Sequence, residues 1–406
     1  MTSTEAIDQI VFNPDLSVPE KTDRVNAFLS RSGDQGVTAS VEYLMETSDK
    51  RGAEFVAAYL GMIPGASEGK TRVAERLRGA GPLAQSVARL VPWLPESSIN
   101  AFIQDYLAAP ESQSPLSAVL FAIGVYYPDR LRPYADRIPS PFIQRSLLSG
   151  APDDVADALL ARWRQEQDID DLHSLALIRT QHAAHLIASL RDEIDDPEEW
   201  DWLMPLAGYV PDTGRSAGFT PSFMGFVADE GESDHVMGGT YSEDVPLCAD
   251  CHAPSERVLT LSSETLPHEL SRDPSFFWFS CDCQEVDRLI TRFTPAGTKV
   301  YFNPQGPASA ASNVVPGKRS LVLEPHPNQL GVSLSAVSGR SQHQVGGLPR
   351  WPSPELHPIC PECGMYMPFL VAIDSGPTPF GAMGFEGLLF GFWCNDCSVS
   401  ATQIQE

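Results

Sequence analysis

The stretch HPICPECGMYM, residues 357–367, sets two cysteines two residues apart around a turn. A lone C-x-x-C suits a redox pair as well as half of a metal site, so the other six cysteines decide the reading. They are Cys248, Cys251, Cys281, Cys283, Cys394 and Cys397, all in the second half of the chain. With Cys360 and Cys363 they form two quartets. The first is C-x2-C, 29 residues, C-x-C; the second is C-x2-C, 30 residues, C-x2-C. Each offers four soft thiolates on two tight turns, the donor set of a tetrahedral zinc site. Two Zn(2+) ions per chain are therefore expected, with the eight cysteines as ligands. His252 or His268 stands as an alternative to one thiolate of the first quartet, whose C-x-C pair is the tighter. Gly364 permits the left-handed backbone that such a turn needs. Redox chemistry is disfavoured because no helix pattern follows Cys363 to lower a thiol pKa.

Similarity extends outward from the cysteines. HVMGG at His235 and HQVGG at His343 each precede a C-x2-C, and the last pair of each quartet follows an aromatic run, FFWFSCDC against LLFGFWCNDC. Corresponding positions lie about 108 to 114 residues apart. This reads as two copies of one zinc-ribbon-like β unit, about 235–300 and 343–406, joined by a linker over 301–342. VLTLSS, FFWFS, KVYFN, SLVLE, FLVAI and GLLFGFW carry strand signals, and GPASAASNVVPGKRS reads as a loop.

Up to about residue 205 the texture is helical. Apolar residues recur every three or four positions in segments that open on Ser or Asp and stop at Pro or Gly. HEAT-like helical hairpins or a bundle fit this half, and no clean repeat period separates them. The expected fold is α+β and multidomain, with a helical scaffold over 1–205 and a duplicated strand-rich domain over 206–406.

The formal charge of −25 argues against nucleic acid as a partner, since phosphate neutralisation needs clustered Lys and Arg. Residues 151–250 hold 22 acidic and 5 basic side chains, a field suited to a basic polypeptide. No apolar run approaches a membrane span, and the N-terminus resembles no secretory signal. A cytoplasmic location is expected, where thiols favour metal over disulfide.

Other candidates weaken on inspection. PGASEGKT, residues 64–71, has Pro where a phosphate loop has its first glycine, and follows helical pattern instead of a strand. His182 and His185 lack an acidic third ligand, and DEIDDPEEW lacks the order of a calcium loop. His235 and His343 recur before Gly-Gly, either as a paired functional site or as turn-orienting hydrogen bonders. Trp278, Trp351, Trp393 and Phe392 are candidate partner anchors or core. No catalytic constellation is evident.

The run QVGGLPRWPSPELHPICPECGMYMPFLVAID, with GLLFGFWCNDC, resembles two families. One is the bacterial YwqG-like family. The other is the programmed cell death protein 2 family, whose zinc-binding domain follows a Gly-Gly-x-Pro-x-Trp signature, here Gly346, Gly347, Pro349 and Trp351, with two cysteine pairs. Eukaryotic members of the latter act as dedicated chaperones of a small-subunit ribosomal protein. The resemblance implies a binder of basic polypeptide. The first copy has Thr240 and Tyr241 after its Gly-Gly, and the helical half belongs to neither pattern. The expected function is thus a non-enzymatic zinc protein acting as chaperone or adaptor. The alternatives are an immunity protein that neutralises a toxin, and an enzyme with an interdomain site.

Overall fold

The computed structural model describes residues 2–108, 114–209, 220–239, 245–248, 251–279, 281, 288–294, 297–302, 314–315, 317–326, 343–349 and 357–405. The chain divides into two compact units. One is Met1–Leu148 with Pro377–Ala382; the other is Ser149–Gly376 with Met383–Glu406.

The first unit is helical: α1 (Ser3–Val11), α2 (Val18–Ser30), α3 (Asp34–Glu46), α4 (Lys50–Met62), α5 (Ser67–Arg78), α6 (Glu96–Ala108), α7 (Ser117–Tyr126), α8 (Pro128–Leu131) and α9 (Pro141–Ser146). Local sequence sets where several of these begin. Thr2 with Glu5, and Ser17 with Glu20, close reciprocal capping boxes on α1 and α2, each satisfying two otherwise orphaned groups. Asp49 accepts from the Gly52 amide at 2.9 Å to start α4. The apolar faces meet in one core that includes Ile7, Leu29, Leu44, Leu60, Phe102 and Ile123. Residues 377–382 belong to this unit as well, with buried Asn26 donating to the Thr378 carbonyl at 3.3 Å.

The second unit opens with α10 (Asp153–Glu166), α11 (Ile169–Ile178), α12 (Gln181–Ser189) and α13 (Pro197–Ala207). The change in sequence texture near residue 205 thus marks a change of secondary structure, while the division between units falls at 148/149. The strands follow: β1 (Ser222–Ala228), β2 (Val236–Met237), β3 (Glu256–Thr260), β4 (Ser275–Trp278), β5 (Arg288–Thr294), β6 (Gly297–Phe302), β7 (Arg319–His326), β8 (His343–Gly346), β9 (Phe369–Asp374), β10 (Leu388–Cys394) and β11 (Val399–Gln405). All lie in one sheet, in the order β4-β3-β2-β7-β1-β8-β9-β10-β11-β5-β6, and the pairings are antiparallel.

The middle of this order is reciprocal. β1 pairs with β7, with Phe226 opposite Val322; β2 adds to β7 and β8 adds to β1. β7 falls within the stretch read from sequence as a linker, yet occupies the centre of the sheet. Its alternation of apolar and polar residues lets it pair on both sides. Outward, β3–β4 and β9–β10 carry the same irregularity: the register passes over Val258 in one and Leu370 in the other, 112 residues apart. Such a one-residue bulge bends the strand and sharpens its twist. The sheet curls far enough that Phe276 of β4 packs against Gly391 of β10, and the Phe277 ring lies 6.0 Å from that of Phe293 in β5. It is an antiparallel half-barrel.

Candidate metal centre

Cys360 and Cys363 sit on the turn before β9, and Cys394 and Cys397 on the turn between β10 and β11. Their four sulfurs all lie within 4.8 Å of one another. Backbone hydrogen bonds shape the first turn: the Cys360 amide donates to the Met365 carbonyl at 2.8 Å, the Gly364 amide to the Cys360 carbonyl at 2.9 Å, and the Met367 amide to the Pro358 carbonyl at 2.8 Å. Gly364 takes φ 70°. The group rests on an apolar layer of Phe369, Phe390 and Phe392, whose rings meet edge to face at 6.2 Å.

Neighbouring segments clamp both turns. Glu362 pairs with Arg292 of β5 at 2.6 Å. The Asn395 side chain accepts from the Ser271 amide at 2.7 Å and from the Trp393 indole at 3.2 Å, and donates to the Glu269 carbonyl at 3.3 Å. Burial pushes the Cys394 thiol up and Cys397 up to about 11, while the Met365 backbone amide holds Cys363 below the usual thiol range. A divalent cation would favour the thiolate at all four positions, so metal uptake releases protons.

Cys248, Cys251 and Cys281 form a second group with sulfurs within the same 4.8 Å; Cys283 lies outside the described residues. Its first turn repeats the hydrogen bonds above at a spacing of 112 residues. The Cys248 amide donates to the Ala253 carbonyl at 2.8 Å, the His252 amide to the Cys248 carbonyl at 3.1 Å, and the Ser255 amide to the Pro246 carbonyl at 2.8 Å. The bridges Leu247–Pro254 and Ile359–Tyr366 also correspond.

Neither His252 nor His268 joins this group of donors. His252 holds the left-handed position, φ 59°, that glycine occupies in the other turn. His268 packs beside Phe223, with centroids 6.3 Å apart. Because a non-glycine residue in the left-handed region costs roughly 1–2 kcal/mol, His252→Gly is expected to leave metal content unchanged and unfolding stability equal or slightly higher. Loss of a metal ion from that variant would instead make His252 a ligand.

His235 and His343 act as hydrogen-bond acceptors. The Ser262 amide donates to His235 Nδ1 at 3.0 Å, and the Asp374 amide to His343 Nδ1 at 3.2 Å, again 112 residues apart on the donor side. Both rings are therefore neutral, with the proton on Nε2. Burial lowers both pKa values, that of His343 from 6.5 to about 3. Between those two values the unfolded chain binds more protons, so this contribution is complete above about 6.5 and is lost as pH falls toward 3. Replacing His343 with Asn, which keeps an acceptor near Nδ1, is expected to flatten the acid limb of stability measured by urea unfolding across that range. An acid limb identical to wild type would remove His343 as its source.

The remaining sequence candidates have structural partners. Lys70 of PGASEGKT is buried, donates to the Ile63 carbonyl at 2.5 Å and lies 3.7 Å from the Trp93 ring centroid; the stretch joins α4 to α5. His182 pairs with Asp157 at 2.8 Å, and His185 is exposed. Within DEIDDPEEW, Glu193 pairs with Arg164 and Asp196 caps α13 through the Glu198 amide. Trp278, Trp393 and Phe392 are buried, and Trp351 lies outside the described residues.

Fold and site together define an α+β protein whose curled antiparallel sheet carries two cysteine groups that could hold metal ions. Over 63 residues the chain is 35% identical to the uncharacterized protein YpfL of Salmonella typhimurium, a match spanning 16% of this chain and 15% of that protein. No protein-family model and no solved structure matches the chain. Among the described residues no helix is long and apolar enough to cross a membrane.

Proposed function

We propose that the strand-rich region is two copies of one zinc-ribbon-like unit, that each cysteine group holds one zinc ion, and that the protein binds a basic polypeptide as a chaperone or adaptor. The observation that carries this reading is the closure of Cys360, Cys363, Cys394 and Cys397 on one another. Four thiolates fill a tetrahedral zinc and leave no position for water or substrate, so the ion serves the fold. The matching turns, bulges and histidine hydrogen bonds support common descent of the two copies. The resemblance to the programmed cell death protein 2 family supports a basic client, as does the surplus of carboxylates on α10 to α13.

Asp196 and Glu199 have structural partners, so a test of charge should spare them. The combined substitution Asp192→Asn, Asp195→Asn and Glu198→Gln is expected to weaken binding of a lysine-rich peptide severalfold at low ionic strength and to flatten its salt dependence. Unchanged affinity and slope would count against a basic client.

A further inference from the structure

The sequence places two tryptophans near the start of α13, and the structure treats them differently. Trp200 donates its indole N–H to the Ile187 carbonyl at 3.2 Å and carries the Arg191 guanidinium 4.6 Å from its ring centroid. Trp202 is 50% exposed. Among the described residues no Lys or Arg stacks on it. Its neighbour is the His173 ring of α11, with centroids 4.6 Å apart, and His173 is fixed in turn by Glu199 at 2.8 Å.

The surroundings follow from helical spacing. Glu198 and Glu199 precede Trp202 by four and three residues and share its face of α13. Ile169 and Asp170 precede His173 by four and three on α11. Ile169 is exposed and the Asp170 side chain is 87% exposed. Two packed helices therefore present a half-buried indole, one aliphatic side chain and a rim of carboxylates, with Asp170 and Glu198 facing water. Exposed apolar surface of this kind inside a strongly acidic layer has a particular complement. A lysine or arginine side chain stacks its cation and apolar stem on an indole while its charge meets the carboxylates.

We propose that the α11–α13 face centred on Trp202 is the docking surface for a Lys/Arg-rich segment of another polypeptide, with Trp202 as aromatic anchor and Asp170 and Glu198 as its acidic rim. This rests on the reading of the protein as a binder of basic polypeptide and names where that binding occurs. Trp200 with Arg191 shows the same contact already made within the helix layer.

The test uses the full chain, with arginine-rich and lysine-rich peptides free of aromatic residues as probes and a glutamine-rich peptide of equal length as control, titrated by calorimetry at several salt concentrations. Trp202→Ala is expected to weaken binding about fivefold without altering the salt slope, since it removes no charge. Trp202→Phe should retain part of the affinity, and thermal unfolding should stay unchanged. Asp170→Asn with Glu198→Gln should weaken binding and reduce the slope. If Trp202→Ala and Trp202→Phe both bind as wild type while the Asp192→Asn, Asp195→Asn and Glu198→Gln variant does not, the anchor is refuted and the basic-client reading stands. If wild type binds the basic peptides no better than the glutamine control, both fall.

Discussion

Cys360→Ser is expected to remove one metal ion per chain and to release β9, β10 and β11 from the sheet. Cys360 is fully buried and packs with Phe369, Phe390 and Phe392, so the loss reaches the apolar layer beneath the turn. Structural zinc supplies about 10–16 kcal/mol in small zinc-finger peptides, and whole domains are stable by only about 5–15 kcal/mol. Even partial loss should therefore exceed about 4 kcal/mol. Hydrogen exchange would show the effect as deprotection concentrated in β9 to β11, alongside a metal content one ion lower. An unchanged metal content with protected β10 amides would show that Cys360 does not ligate.

Gly346→Ala is expected to be nearly as severe for a different reason. Gly346 takes φ 69°, and a Cβ there would overlap the Pro221 carbonyl oxygen and reach within 2.7 Å of His268 Nε2. Gly238, at φ 65°, meets the Gly317 carbonyl in the same manner. Backbone cannot step aside as a flexible side chain can, so each substitution should cost about 3 kcal/mol or more. Gly364→Ala provides the control. It shares the left-handed backbone, φ 70°, but its Cβ would enter open space, leaving only the roughly 1–2 kcal/mol of conformational strain. Urea unfolding of the three variants separates the two effects. Equal losses would mean that close packing at the Gly-Gly turns contributes nothing.

The cysteine turns were legible because their information is local. Two sulfurs two residues apart, followed by a residue able to adopt positive φ, need no distant partner to take shape. The repeat was legible for the same reason, since the spacing from Cys248 to Cys360 recurs at Val258 and Leu370. Strand partners were not. That β2 pairs with β7, and β8 with β1, depends on contacts across some 80 to 120 residues, and a short run such as SLVLE states only that it is a strand. Sequence texture also misplaced the division of the chain, because α10 to α13 are helical in pattern but pack within the second unit. Trp202 was passed over in favour of tryptophans beside the cysteines. Its spacing from Glu198 and Glu199 was visible, but its exposure depends on how α13 lies against α11.

The central claim is that the chain holds two closed thiolate sites occupied by zinc. The most direct measurement is metal analysis of the purified, untagged full chain, followed by X-ray absorption at the zinc edge. The expected result is two zinc ions per chain, with four sulfur neighbours at about 2.3 Å around each. One ion or none, or a zinc shell containing nitrogen or oxygen, would contradict it.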